Sequence, residues 1–308
     1  MRVSPAGQRV TVRVEGRELS LSNLDKVMYP ATGTTKAGVI DYYTRVAEVM
    51  LPHLRGRPLT MVRHPDGVDG ERFFEKRCPS HRPAWMDTVT LGRDGRDKVV
   101  EHCDLRERAD LVWVANLAAL ELHTTMGAAP DTGVPTMVVF DLDPGPPADV
   151  HDCARVALLL RQVFDRLDLV ALPKTSGSKG MQVYVPLNGP DDLTFDRTKG
   201  FALSIGQLLE KVHPDQVLTS MDKAQRTGKV FVDWSQNTLT KTTVCAYSLR
   251  ARERPTVSTP LTWDEVEAGA DGDLALRFEM DEVLERVEAH GDLFADVLSV
   301  EQALPELG

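Results

Sequence analysis

A chain of 308 residues with 42% apolar composition is long enough to bury a sizeable core, as one large domain or two smaller ones. Its cysteines, Cys78, Cys103, Cys153 and Cys245, lack Cys-x-x-Cys spacing, which points to reduced thiols in a cytosolic protein. No run of 18 apolar residues offers a membrane span, and no apolar N-terminal segment offers a signal peptide. The net charge of −10 argues against a nucleic-acid binder until its distribution is read. From Pro255 onward 14 acidic residues face two basic ones, Arg277 and Arg286, so residues 1–254 hold 34 basic against 32 acidic side chains, and residues 1–100 hold 17 against 12. That asymmetry permits a local phosphate-binding surface beside an acidic tail.

In chain order, Val10 to Leu21 alternates apolar and polar residues about Glu15-Gly16 and predicts a β-hairpin. Thr34 or Thr35 caps a predicted helix to about Leu51, with Val39, Ile40, Tyr43, Val46, Ala47 and Met50 on its apolar face. Leu59 to Arg63 reads as a strand ended by the turn Pro65-Asp66-Gly67, and Phe73 to Lys76 as a second strand, with one phenylalanine facing in and one out. Asp104 is expected to cap a helix from Leu105 to about Leu122 that ends at His123. Met137 to Phe140 is a β-branched apolar run stopped by Pro144-Gly145, a buried strand. Asp149 to Leu167 predicts an amphipathic helix, Val170–Pro173 and Met181–Leu187 two strands, Thr198–Val212 a helix, Lys229–Trp234 a strand and Lys241–Leu249 a β segment. The tail from Thr262 reads as helical and acidic. Strands and helices do not alternate strictly, which favours an α+β fold over a doubly wound one.

The chemistry centres on Asp141-Leu142-Asp143. Residues two apart on a strand share a face, so the two carboxylates project side by side from the end of a core strand. Carboxylates that close repel unless a proton or cation intervenes, and oxygen ligands suit Mg²⁺ or Mn²⁺. The same residues also suit a simple strand exit, and an apolar strand followed by Asp-x-Asp is shared with dehalogenase-type phosphatases, which would use Asp141 as nucleophile. Asp233, at the end of another apolar strand, is the natural third carboxylate or a turn former. Ser176-Gly177-Ser178-Lys179-Gly180 joins two strands with the residue types that meet an anion, although it lacks Walker spacing. Arg226, Lys229, Lys241 and Arg250 surround the Asp233 strand in sequence, and His123 either caps a helix or meets a phosphate. Cys78, His81, His102 and Cys103 form an irregular zinc pattern.

Taken together and in order, Asn23-x-Asp25-Lys26, Phe73-Phe74-Glu75-Lys76, Ala119-Leu120-Glu121-Leu122-His123, Asp141-Leu142-Asp143-Pro144, Ser176-Gly177-Ser178-Lys179-Gly180 and Val232-Asp233-Trp234-Ser235-Gln236-Asn237 closely resemble the polymerase domain of bacterial DNA ligase D, of the archaeo-eukaryotic primase superfamily. The resemblance runs from about residue 10 to 290 and implies a single primase-polymerase domain over 1–308, with 255–308 as an acidic helical segment. It implies an RNA-recognition-motif-like antiparallel catalytic sheet plus a second sheet, flanked by helices. It also implies Mn²⁺-dependent (or Mg²⁺-dependent) two-ion nucleotidyl transfer onto a DNA 3′ end, with ribonucleotides preferred over deoxynucleotides. By motif position Asp141, Asp143 and Asp233 hold the metals. Ser176, Gly177, Ser178, Lys179 and His123 meet the triphosphate, helped by Arg226, Gln236 and Arg250. Asn23, Asp25, Lys26 and Lys36 bind a 5′-phosphate, and Arg63, Phe73 and Phe74 meet template or primer. Implied partners are gapped or broken DNA, nucleoside triphosphates, Ku and a DNA ligase, in the bacterial cytoplasm at the nucleoid. Two departures from ligase-linked members are Val62, where a lysine is common, and a shorter segment from His123 to Asp141. A non-catalytic DNA-end scaffold is the competing reading outside enzymes.

Overall fold

The computed structural model describes residues 9–91, 100–189 and 192–306. Local chemistry sets most elements. Glu15-Gly16 turns the hairpin Arg9–Val14/Arg17–Ser22, as its alternation predicts. Thr35 accepts the Gly38 N–H and so caps the helix Lys36–Leu54. Asp149 accepts the His151 and Asp152 N–H groups at the start of the helix Val150–Arg166, and Thr194 caps Phe195–Val212.

The central strand, Met137–Pro144, lies in a five-stranded sheet between Met181–Pro186 and Val230–Asp233, both antiparallel to it. Leu172–Thr175 forms one edge, and Val217–Leu218 pairs parallel with Val230–Asp233 at the other. Alternation decides the faces. Phe140 points to the helices and stacks near Phe164 and Phe201, at ring distances of 5.2 and 6.3 Å, and Leu142 is fully buried on the same side. Asp141 and Asp143 therefore take the opposite face. A second, antiparallel sheet of four strands, in the order Thr243–Val244, Ala119–Thr124, Leu59–Arg63, Phe73–Glu75, contributes the other wall of the molecule's centre. Two antiparallel-dominated sheets with helices outside make the expected α+β architecture. No helix among the described residues is long and apolar enough to cross a membrane.

Several expectations need correction. The helix expected over 105–122 spans only Arg108–Asn116, with Glu107 and Asp110 forming its capping box, and Ala119–Thr124 is a strand of the second sheet. Leu- and Ala-rich sequence favours helix locally, but Ala118 turns the chain with φ +61° and pairing to Leu59–Arg63 wins. Asp104 instead accepts the Gly56 N–H and pairs with Arg106. Cys78 and Cys103 are joined in a disulfide rather than both reduced, while Cys153 and Cys245 are free and buried. The backbone bond from Cys78 N–H to Glu101 O brings the two segments together across 25 residues, which no local spacing reveals. His102 Nδ1 donates to Leu59 O and His81 packs on Trp113, so the zinc pattern does not assemble. The β segment expected over 241–249 shortens to Thr243–Val244, and the tail folds as Trp263–Asp271 and Met280–His290, followed by a single turn Ala295–Leu298.

Candidate functional site

The register places Asp141 directly opposite Asp233 on one neighbour and Gln182 on the other. Asp141 Oδ1 accepts from Gln182 Nε2 at 3.1 Å. The Gln236 amide nitrogen lies between two carboxylates, 3.4 Å from Asp141 Oδ2 and 3.2 Å from Asp233 Oδ2. Burial, then the like charge of Asp143 with a further contribution from Asp233, pushes the Asp141 carboxyl up to about 6. Asp143 is met by Lys179 Nζ at 3.8 Å and Arg226 Nη1 at 3.9 Å, both at the outer limit of an ion pair. Asp233 forms the strand-end turn, Oδ1 accepting the Ser235 N–H and hydroxyl at 3.0 and 2.6 Å, while Oδ2 faces Gln236.

The loop 176–180 closes one side of the cleft. Ser176 Oγ accepts the N–H groups of Ser178 and Gly180, which shapes the turn, and Arg250 donates to Ser176 O. Gly177 has φ +65°, and a Cβ there would stand 2.5 Å from the Val257 carbonyl carbon, so only glycine fits. Lys179 is exposed and free to reach an anion over Asp143. Arg226 lies with its guanidinium 3.8 Å from the Phe231 ring centre.

His123 sits on a strand, not at a helix end, and two residues earlier on the same face is Glu121. Glu121 is the buried hub of this wall: His123 Nε2 is 2.8 Å from Oε2, Arg250 Nε is 3.2 Å from Oε1, and the Ala251 N–H donates to Oε1 at 3.0 Å. Burial works to raise the Glu121 carboxyl, but His123 and Arg250 hold it well below the usual carboxylate range. An ionised carboxylate only accepts, so the hydrogen of this pair is on His123 Nε2. Burial in turn lowers the His123 imidazole against the pull of Glu121.

His123, Asp141, Asp143, Ser176, Ser178, Lys179, Gln236 and Arg250 thus converge on one cleft of about 200 Å³, with Asp233 and Arg226 beside it and Gly177 in its loop. Gln182, Arg252 and Thr242 also line it, and Glu121 stands behind His123; the sequence reading missed all four. Reading 119–124 as a strand would have exposed the Glu121/His123 pairing through its two-residue period.

The remaining site residues lie apart from the cleft lining. Asn23 turns the chain at φ +56° and is exposed with Asp25, and Lys26 pairs with Asp66 at 2.6 Å. Lys36 is buried, donates to Ser22 O, and is lowered to about 8 by burial and then by the nearby charges of Lys26 and Arg63. Lys26, Lys36 and Arg63 therefore form one basic region, with Arg63 tied to Glu75 at 2.7 Å. Phe73 and Phe74 are both exposed, at 46% and 63%, rather than one in and one out. They belong to a three-residue edge strand paired on one side only, and the Arg72 guanidinium stands 5.4 Å from the Phe74 ring centre.

The donor set suits a hard divalent cation: three carboxylates, no thiol, and an Asp141 charge that burial leaves poorly balanced. Among the described residues, no three Asp, Glu, His or Cys side chains are already drawn into a closed metal cage. Gln236 occupies the space between Asp141 and Asp233, where amide hydrogens meet the negative charge.

Residues 35–294 match the family model for the LigD primase-polymerase domain. The chain is 45% identical over 278 residues to the multifunctional non-homologous end joining protein LigD of Mycolicibacterium smegmatis, covering 89% of this chain and 35% of that protein. It is 32% identical over 279 residues to the bifunctional LigD of Bacillus subtilis, covering 91% of this chain and 44% of that protein. The chain thus spans less than half the length of these relatives. The solved polymerase domain of Mycobacterium tuberculosis ligase D in complex with DNA superposes with a TM-score of 0.85 at 41% identity, over 92% of this chain and 99% of that one. Shared fold, ordered motifs and a match through both sheets lead to one conclusion: the chain belongs to the LigD primase-polymerase domain family.

Proposed function

We propose that the chain is a DNA-dependent nucleotidyltransferase that extends DNA 3′ ends at gaps or breaks during repair by end joining or gap filling. The observation that carries this is the convergence of Asp141, Asp143 and Asp233 with the 176–180 loop on one cleft, in a fold shared with a DNA-bound polymerase domain. Two Mn²⁺ or Mg²⁺ ions held by the three carboxylates would supply activation of a primer 3′-OH and neutralisation of triphosphate and pyrophosphate charge. The chain's own part is positioning and charge. Lys179, Arg226 and Arg250 set cations around the triphosphate, and His123 and the Ser176 and Ser178 side chains fix its far end. Gln236, which donates to Asp141 and Asp233, would be available to the substrate where metal ions neutralise those carboxylates.

Asn23, Lys26 and Lys36 receive a 5′-phosphate across the gap, with Asp25 in the same turn shaping that pocket, and Arg63, Phe73 and Phe74 meet template or primer, the two rings stacking on template bases. Their exposure on an edge strand supports this, with the Arg72 guanidinium 5.4 Å from the Phe74 ring centre as a cation beside the stacking surface. A preference for ribonucleotides, through a contact to the 2′-OH, comes from the family resemblance, as do the partners Ku and a DNA ligase and work at the nucleoid.

The test is primer extension on a gapped duplex bearing a 5′-phosphate, with wild type and Asp141→Ala/Asp143→Ala, each metal, and ribo- or deoxynucleoside triphosphates. Metal-dependent addition that is faster with ribonucleotides and absent in the variant is expected. A folded, DNA-binding wild type that adds nothing refutes the catalytic reading and favours the scaffold. A phosphoaspartate formed at Asp141 from a phosphoester would favour the phosphatase.

A further inference from the structure

One buried cation has no place in the function proposed above. Lys174 is 1% exposed, on the edge strand Leu172–Thr175, and burial pushes its ammonium down to about 7. Among the described residues no carboxylate lies within ion-pair distance of it. Its three hydrogens instead meet three acceptors: Gln182 Oε1 at 2.6 Å, Ser258 Oγ at 2.6 Å and Val244 O at 3.0 Å. Ser258 Oγ gives its own hydrogen to Thr175 O at 2.9 Å, so towards Lys174 it can only accept. The coordination is complete and uses every hydrogen of the charged form.

An ammonium donates and cannot accept, so it admits only the oxygen of the Gln182 amide. The Gln182 NH₂ must then face the other way, where it donates to Asp141 Oδ1. Tyr184 OH, 3.2 Å from Gln182 Oε1 and 2.9 Å from Thr243 Oγ1, does not settle the amide by itself, because a hydroxyl serves either end. Two residues on adjacent strands, 33 and 41 positions after Asp141 and in no local motif with it, thereby reach the cleft in a line: cation, amide, carboxylate.

We propose that Lys174 is a positioning residue that acts through Gln182 on Asp141, locking the amide so that one Asp141 oxygen stays engaged and the other faces the metal position. The proposal rests on Asp141 being a metal-holding carboxylate. Without the lysine, the Gln182 amide is free to present its oxygen to Asp141, which repels it and loosens the carboxylate.

The test is Mn²⁺ uptake by the apo-protein, read from the electron paramagnetic resonance signal of free Mn²⁺, for wild type, Lys174→Met, Gln182→Met, the double variant and Ser258→Ala. Loss of an outer partner of a metal ligand costs about tenfold or more in affinity, so each Met variant needs about tenfold more Mn²⁺ for half uptake. Since the lysine acts through the amide, the double variant is expected to lose no more than Gln182→Met alone. Ser258→Ala removes a hydrogen bond from the same lysine through a residue that bonds Lys174 and Thr175 rather than Gln182, and is expected to lower thermal stability while Mn²⁺ uptake stays unchanged. If Lys174→Met does not fold, Gln182→Met against Ser258→Ala decides. Uptake unchanged in Gln182→Met, or weakened equally in Ser258→Ala, overturns the positioning role. Additive losses in the double variant overturn action through Gln182. A wild type that takes up no Mn²⁺ overturns the metal reading, and this proposal with it.

Discussion

Replacing Glu121 by glutamine removes one charge from the buried wall behind His123 while keeping the side chain's shape. In the wild type the carboxylate accepts from His123 at 2.8 Å, from the Ala251 N–H at 3.0 Å and meets Arg250 at 3.2 Å. The two side chains of the Glu121–Arg250 pair are only 10% and 12% exposed, so solvent screens them little. Deleting one member of a buried pair costs about 3–5 kcal/mol, and glutamine keeps one acceptor, which sets the expected loss for Glu121→Gln at about 3 kcal/mol at pH 7. The assay is urea unfolding, with midpoint and slope measured separately.

The pH dependence follows from direction alone. Despite burial, His123 and Arg250 hold the folded Glu121 carboxyl below its unfolded value of about 4.3. A depressed carboxylate contributes fully above the unfolded value and loses that contribution as pH falls through the folded one. The gap between wild type and Glu121→Gln should therefore begin to narrow below about pH 4 and close only as pH falls through the folded value. Michaelis constants for the nucleotide should rise together with the destabilisation, because His123 and Arg250 lose their common anchor. A variant within about 0.5 kcal/mol of wild type at pH 7, the range of an ordinary surface change, would refute the hub. So would a gap that stays constant down to pH 3.5.

Gly177→Ala places a methyl group 2.5 Å from the Val257 carbonyl carbon at φ +65°, and should cost about 1–3 kcal/mol of stability and raise the nucleotide Michaelis constant; full activity would show that the loop has another shape. Phe74→Ala should leave stability within about 0.5 kcal/mol, since the ring is 63% exposed, yet weaken binding to gapped duplex by about 1–3 kcal/mol in fluorescence anisotropy; equal binding removes the stacking role. Thiol titration of the denatured, unreduced protein should find Cys153 and Cys245 alone, and all four cysteines after reduction; four reactive thiols without reductant would disprove the Cys78–Cys103 bond.

Much of the site was written locally. Two-residue periodicity placed Asp141 and Asp143 on one face, short apolar runs located the strands Met137–Pro144 and Val230–Asp233, and Gly177 and Gly180 located the hairpin loop between Leu172–Thr175 and Met181–Pro186. Caps at Thr35 and Asp149 set helix starts within a residue. Each of these depends on interactions spanning a few residues, so the order of amino acids determines them. The segment 119–124 did not yield, because its leucines and alanines are content in a helix and only pairing with Leu59–Arg63, some sixty residues away, makes it a strand. Register across the sheet decided that Asp141 faces Asp233 and Gln182, separations of 92 and 41 residues. The Glu121–Arg250 pair, the ammonium of Lys174 in its shell of acceptors and the Cys78–Cys103 bond likewise join groups that share no local pattern. Buried polar atoms must find partners wherever the packed core brings them, and that is settled only when distant strands are laid side by side.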